Sequence, residues 1–268
     1  MYNQINKEKE ENDMSKEYEL YNEVKNWDFS YINYEKESLT NWDLNDLIRK
    51  YTNEESRILD LGTAGGENVL KHYPEVKEIL GTDFAEAMIE TANKNLAESG
   101  RKNISFKVMD NTKMTTPDDY FDLVVARHTV TDPKQIYKTL KPGGTLLIRG
   151  VDKMDCYALK RMFNKGQGMR DNKPISVIDY ENVLEAGFSE VELVPIHVRE
   201  HYKTKKDLLM LLYKVPIIND FSEIEENNNL ASEEIDETIL DKYIAENTYE
   251  KGILLIRRYY GIVAKKLN

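Results

Sequence analysis

From residue 57 onward, short apolar and β-branched runs alternate with longer stretches of helical periodicity. Ile58-Leu59-Asp60-Leu61, Glu78-Ile79-Leu80-Gly81-Thr82, Ile104-Ser105-Phe106-Lys107-Val108, Asp122-Leu123-Val124-Val125-Ala126 and Thr145-Leu146-Leu147-Ile148-Arg149 read as strands, being short, apolar and bounded by turn formers. Between them, residues 85–98 place Met88, Ile89, Ala92 and Leu96 at helical spacing. Strands alternating with helices build βαβ units, so the pattern predicts a doubly wound α/β fold with a mostly parallel sheet and helices on both faces. Ligands of such sheets bind beyond the carboxyl ends of the strands, near the point where strand order reverses.

The flanks are organised differently. Residues 1–16 are polar and charged with almost nothing to bury and read as a disordered tail. Residues 17–50 hold Trp27, Phe29, Tyr31, Tyr34, Trp42, Leu44, Leu47 and Ile48, which predicts a packed, partly helical cover for the sheet. The sheet domain itself is expected over residues 51–200. Its pattern loosens after Val151 and resumes at Val191-Glu192-Leu193-Val194 and Ile196. Residues 201–268 are expected to add helices and a closing strand to the same domain. Within them, residues 222–242 are acidic, with Leu230, Ile235, Ile239 and Leu240 spaced for an amphipathic helix, and Ile262-Val263-Ala264 reads as a strand.

Composition narrows the function. The 268 residues, 40% hydrophobic and 32% charged, suffice for a sizeable core. The net charge of -11 repels polyanions, so a nucleic-acid partner would need a local basic patch. Lys160, Arg161, Lys165, Arg170 and Lys173, interleaved with Gly166 and Gly168, supply the one candidate, either as a phosphate grip or as a solvated loop. Cys156 is the sole cysteine, which rules out an internal disulfide or a thiolate cluster, and its lack of a CxxC partner points to inert packing. His72, His197 and His201 show no metal spacing, so no metal site is expected. No signal peptide and no stretch approaching roughly 20 apolar residues is present, so a cytoplasmic protein without membrane contact is expected.

The strongest chemical signal is Arg57-Ile58-Leu59-Asp60-Leu61-Gly62-Thr63-Ala64-Gly65-Gly66-Glu67: a buried strand, an acid near its tip and a glycine-rich bend opening a helix. Glycines let the backbone approach a ligand closely and take positive φ. A dinucleotide fingerprint needs Gly-x-Gly-x-x-Gly with a helix N-terminus facing a pyrophosphate. Here Ala64 holds the second glycine position and Glu67 the third. A carboxylate at that helix mouth opposes a pyrophosphate but tolerates a sulfonium and an amino group. The bend therefore argues against a nicotinamide dinucleotide and for a cationic ligand.

This segment resembles the first motif of class I S-adenosylmethionine-dependent methyltransferases, Asp-x-Gly-x-Gly-x-Gly, with Ala64 departing at the middle glycine. Further parts of the family's signature follow in order across residues 57–150: Gly81-Thr82-Asp83-Phe84, Val108-Met109-Asp110-Asn111, Phe121-Asp122-Leu123-Val124-Val125-Ala126-Arg127-His128 and Leu140-Lys141-Pro142-Gly143-Gly144-Thr145. The resemblance implies a seven-stranded Rossmann-like sheet and S-adenosyl-L-methionine as cofactor, released as S-adenosyl-L-homocysteine. It implies that Asp60, Gly62, Thr63, Ala64, Gly65, Gly66 and Glu67 receive the amino-acid end, that Asp83 binds ribose, and that Phe84 lies beside adenine. Asp110 would accept from the adenine amino group, with Met88, Asn111, Ala126 and Arg127 completing the cofactor site. The Trp27-Asp28-Phe29-Ser30 opening, Arg127-His128, Tyr213-Lys214-Val215-Pro216 and Asp220-Phe221-Ser222 also resemble a group of bacterial methyltransferases without assigned substrates.

Several of these residues have plainer readings. Asp60, Asp83 and Asp110 fit capping or turn formation as well as cofactor contact. Glu67 is either a first-turn carboxylate favoured by the helix dipole or a contact to the methionine amino group. Asp122 reads as a structural strand start, and Lys141-Pro142-Gly143-Gly144 as a turn. Arg127 and His128 follow the fourth strand at the ligand edge. They are the candidate acceptor-side residues, His128 as a base of near-neutral pKa and Arg127 as a partner for an acid, or else both merely bond the loop. Trp27, Phe29 and Tyr31 fit core packing or a π surface over the sulfonium. The expected activity is methyl transfer to a small-molecule acceptor by in-line displacement, with methylation of an RNA base, or cofactor binding without turnover, as the alternatives.

Overall fold

The computed structural model describes residues 29–218 and 235–267. The expected tail, Trp27, Leu230 and the Asp220-Phe221-Ser222 motif lie outside them. Nine strands form one sheet: β1 (Tyr34–Ser38), β2 (Arg57–Leu61), β3 (Glu78–Asp83), β4 (Ile104–Val108), β5 (Phe121–Arg127), β6 (Leu140–Val151), β7 (Ser189–Tyr202), β8 (Thr248–Tyr249) and β9 (Gly252–Lys265). Their spatial order is β4-β3-β2-β5-β6-β9-β7-β1, with β8 paired to β9. The first five of that order run parallel, while β9 is antiparallel to both β6 and β7. Order reverses between β2 and β5, so the tips of these two strands flank the switch-point cleft.

Eight helices are described: α1 (Leu44–Lys50), α2 (Glu67–His72), α3 (Glu86–Ser99), α4 (Pro133–Thr139), α5 (Tyr157–Phe163), α6 (Ile175–Glu185), α7 (Lys205–Lys214) and α8 (Glu237–Asn247). Side chains alternate across each strand, so the sheet has two apolar faces. Ile58, Ile79, Leu123, Val125 and Leu147 face one layer with α1, α2 and α3; Leu59, Leu61, Val124, Leu146 and Ile148 face the other with α4 and α6. The apolar periodicity of residues 85–98 becomes α3, with Met88, Ile89 and Ala92 buried.

Two features depart from the sequence pattern. In the N-terminal segment, Tyr34–Ser38 forms an edge strand rather than a helix, pairing with β7 from Tyr34↔Tyr202 to Ser38↔Val198. Its Glu-Lys-Glu centre hides the strand from hydropathy, and charges of this kind are what protect an exposed sheet edge. Secondly, β7 and β9 are 14 residues each, far longer than their apolar kernels. Beyond the last β6–β9 partners, Val151↔Tyr259, they run on past the carboxyl edge as an extension that β1 flanks on the β7 side and β8 on the β9 side. Around it a second core gathers Cys156, Leu159 and Phe163 from the α5 region, Leu208, Leu211 and Leu212 from α7, and Leu240 and Tyr243 from α8. Among the described residues no helix is long and apolar enough to cross a membrane.

Several expected structural roles are met. Asp122 accepts the Arg57 amide at 2.8 Å and clasps the Lys141 ammonium at 2.7 and 2.9 Å, pinning the turn that bulges between the pairs Phe121↔Leu140 and Leu123↔Thr145. Cys156 is buried, and burial pushes its thiol pKa well up, as suits inert packing.

The extension is fastened to the sheet by buried charges. Arg257 Nε donates to Asp155 at 3.0 and 3.2 Å, and its Nη1 lies 3.4 Å from Glu200 Oε2. Asp155 also accepts the Arg258 amide at 2.7 Å, and Glu200 accepts the Tyr202 hydroxyl at 2.7 Å. Burial disfavours the charge on Arg257, but Asp155 together with Cys156, Tyr259 and Glu200 outweighs it and holds the guanidinium pKa above its ordinary value. Removing one member strands the others uncompensated. Asp155→Ala should therefore cost about 3–5 kcal/mol in urea unfolding, whereas substitution of the exposed Asp46 should change stability by less than about 1 kcal/mol.

Candidate active site

The bend between β2 and α2 lies at the switch point. Gly62 and Gly66 take φ of 72° and 76°, and Ala64, the departure from the glycine pattern, takes 50°. A Cβ on Gly62 would sit 2.7 Å from Thr129, and one on Gly66 2.7 Å from Phe106, so neighbouring side chains close on both glycines. Asp83, at the tip of β3, holds this backbone: one carboxylate oxygen accepts the Ala64 amide at 2.9 Å and the other the Ala85 amide at 3.0 Å. Asn95 of α3 reaches back to the Gly65 carbonyl at 2.8 Å.

Asp60 is buried and accepts a hydrogen bond from the Tyr73 hydroxyl. Burial raises its pKa to about 6, against the lowering pull of Tyr73 and Arg127. Asp83 is likewise raised by burial, opposed by the Ala85, Ala64 and Phe84 amides. Asp110 behaves oppositely. It bonds the Thr112 amide and hydroxyl at 2.8 and 2.7 Å in a local turn, and these bonds with Lys113 outweigh its partial burial and lower its pKa. Asn111 is buried and bridges the Thr82 and Thr129 hydroxyls at 3.4 and 3.0 Å, tying the tips of β3 and β5.

The other expected cofactor residues are placed unequally. Glu67 folds its carboxylate back over Gly65 at the start of α2. Phe84 follows Asp83 and is partly exposed. Met88 and Ala126 are enclosed in the interior, Ala126 within the α4 and α6 layer. Arg127 extends along the edge to Asn45 at 3.2 Å and Asn68 at 3.4 Å.

His128 follows β5 at the sheet edge and is exposed, while the surrounding protein, then Arg149, Arg127 and Arg257, push its pKa well below the usual value and favour the neutral imidazole. It stacks on Tyr259 with ring centres 5.4 Å apart, and its amide donates to the Arg149 carbonyl at 2.8 Å. The basic segment does not form a single grip. Lys160 is buried and donates to the Gln167 carbonyl at 2.8 Å, and Lys173 pairs with Glu181.

Sequence reasoning missed Tyr73, Asn95, Thr129, Arg149 and Tyr259. A signal existed for Arg149, the cation ending the run Leu146-Leu147-Ile148, and for the Arg257-Arg258-Tyr259-Tyr260 block in an otherwise apolar strand.

Backbone in the left-handed region lies between buried Asp60 and Asp83 with Glu67 at the helix mouth, and Arg127 is the cation that reaches Asp60. These carboxylates oppose a pyrophosphate and accept ribose hydroxyls and an amino or sulfonium group. The residues fit S-adenosylmethionine.

Two predictions follow from the bend. Ala64→Gly should relieve left-handed strain and raise stability by up to about 1 kcal/mol in denaturant unfolding. For Asp60 the folded pKa exceeds the unfolded one, so the folded state holds the extra proton between them, and stability falls as pH rises from about 4 to about 6. Asp60→Asn, which can still accept from Tyr73, should flatten that slope and gain roughly 3 kcal/mol at pH 7.5 relative to pH 4; melting curves across the range would show it.

Comparison with known proteins agrees with this geometry. Residues 52–212 match the methyltransferase domain family. The uncharacterized methyltransferase YcgJ of Bacillus subtilis is 31% identical over 101 residues, 35% of this chain and 40% of the relative. Aklanonic acid methyltransferase DauC of a Streptomyces species is 36% identical over 88 residues, 32% of this chain and 39% of the relative. The chain thus matches well under half the length of these relatives. The crystal structure of YcgJ superposes with a TM-score of 0.52 at 18% identity, covering 84% of this chain and 98% of that one. Phosphoethanolamine N-methyltransferase 2 of Haemonchus contortus in complex with S-adenosyl-L-methionine gives 0.51 at 18% identity, covering 85% and 53%. The chain belongs to the methyltransferase domain family, in its class I, S-adenosylmethionine-dependent branch.

Proposed function

We propose that this protein transfers the methyl group of S-adenosylmethionine to a small-molecule acceptor bound beside the tips of β5 and β6. The observation that carries the reading is the bend at Gly62–Gly66 clasped by Asp83 and flanked by buried Asp60, a set of acceptors suited to a cationic nucleoside. When bound, S-adenosylmethionine supplies an activated methyl group, so the chain's task is to hold the acceptor in line and exclude water.

Each named residue has a part in that reading. Asp83 keeps lone pairs for the ribose hydroxyls while its amide bonds fix the bend. Asp110, held in its turn by Thr112, faces the adenine position, with Phe84 alongside. Asp60 and Glu67 offer negative charge to the amino group, and Arg127 offers two N–H groups to the carboxylate. His128, whose pKa is lowered by the surrounding protein and the neighbouring arginines, stands on the acceptor side as an orienting group and a weaker base than a free imidazole. Acceptors of low mass agree with the activities for which DauC and the phosphoethanolamine enzyme are named, and with a net charge that opposes polyanions.

Calorimetry should give clear binding heat with S-adenosylhomocysteine and none with a nicotinamide dinucleotide. Incubation with methyl-labelled cofactor and fractionated cell extract should place label in low-mass material. Label in RNA or protein instead, or cofactor binding with label in no fraction, would overturn the acceptor assignment.

A further inference from the structure

At the tip of β6, Arg149 carries a positive charge that no described carboxylate meets at ion-pair distance. Arg127 and Arg149 are direct partners in the β5–β6 register, so their side chains leave the same face of adjacent strands. On the next strand the partner of Arg149 is Gly261, where the Trp42 indole stands in the place a Cβ would take. Arg127 bonds the oxygens of Asn45 and Asn68 and lies within Coulombic reach of the buried Asp60, whereas among the described residues Arg149 meets no carboxylate at ion-pair distance, Glu200 acting on it only from farther off. The guanidinium of Arg149 instead lies 4.2 Å from the centre of the Tyr259 ring. Arg257, 5.2 Å from the same ring, is already matched by Asp155 and Glu200. Lys36 of β1 lies within Coulombic reach of Arg149 and adds to the positive side.

His128, one residue beyond Arg127, is exposed, and its neighbour Thr129 packs against Gly62, so the arginine pair adjoins the bend expected to take the methionine end of the cofactor. A partly buried guanidinium with no carboxylate is costly unless a ligand supplies one. Tyr259 is itself buried, covered by His128 and Arg149, so its ring serves to hold the guanidinium plane rather than to stack a substrate.

We propose that the methyl acceptor is an anion, and that Arg149, braced on Tyr259, binds its carboxylate or phosphate group. The inference rests on the methyltransferase reading, but its first test does not require turnover. Inorganic phosphate and benzoate would each be titrated at constant ionic strength into the full chain, with and without saturating S-adenosylhomocysteine, and followed by calorimetry. One of the two should bind, and which one does distinguishes a phosphate from a carboxylate. Arg149→Gln should weaken that binding at least ~10-fold while leaving S-adenosylhomocysteine affinity unchanged, and Arg149→Lys should restore part of it. Failure of both anions to bind the wild type, or equal binding to wild type and Arg149→Gln, would overturn the proposal. Anion binding with no affinity for S-adenosylhomocysteine would instead overturn the methyltransferase reading and leave the anion site standing. In the labelled-extract reaction, label should enter the fraction that an anion-exchange resin retains; label confined to the unretained fraction would also count against it.

Discussion

A single carboxylate at the tip of β3 organises the cofactor end of the molecule. Asp83 accepts the Ala64 amide from the bend and the Ala85 amide that begins α3, so two loops from different βα units converge on one side chain. Backbone amides near a strand tip would otherwise be satisfied by water, and the left-handed conformations of the bend would have little to hold them. Strain at Ala64 is tolerable because its own amide is one of the two that Asp83 holds. The same carboxylate keeps spare lone pairs, so structural and ligand-binding readings of Asp83 do not compete; the group that shapes the bend is positioned to face what the bend receives.

The acceptor side is organised by a different principle. The β7–β9 extension passes the carboxyl edge, where a plain doubly wound sheet would end, and it needs a core of its own. Helices α5, α7 and α8 supply the apolar part. The Arg257, Asp155 and Glu200 triad supplies register, since Arg257 meets a loop after β6 through Asp155 and strand β7 through Glu200. Buried ion pairs of this kind contribute little net stability and much geometric definition. Their effect here is to fix Tyr259, two residues along β9, and through it His128 and Arg149.

The parallel half of the fold was legible because its signals are local. Each strand is a short apolar run, and Asp60, Asp83 and Asp110 are recognisable as acids at or just beyond strand tips. What was not legible depends on distant pairing. Nothing within residues 252–265 announces that they lie between β6 and β7, and the charged Tyr34–Ser38 conceals an edge strand. His128 shows the same limit in chemical form. Its position after β5 could be read from the motif, but its low pKa comes from the enclosing protein, from Arg149 on the neighbouring strand and from Arg257, 129 positions away along the chain. Lys160 reverses a sequence reading for a similar reason: a cation in a basic stretch turns inward because the Gln167 carbonyl is available to receive it.

A net charge of -11 and an anionic acceptor are compatible once distance is considered. At physiological salt, surface charges are screened beyond roughly 8 Å, so the acidic exterior imposes only a weak penalty on a small anion approaching the edge. Beside a partly buried guanidinium the screening is weaker and the effective dielectric lower, so a neighbouring Arg149 outweighs the distant surplus of carboxylates. A polyanion gains less from this arrangement, because most of its charges would remain outside against the acidic surface while only one enters. An anionic acceptor, as proposed, would thus be favoured as a compact ligand bearing one anionic group over a polyanion.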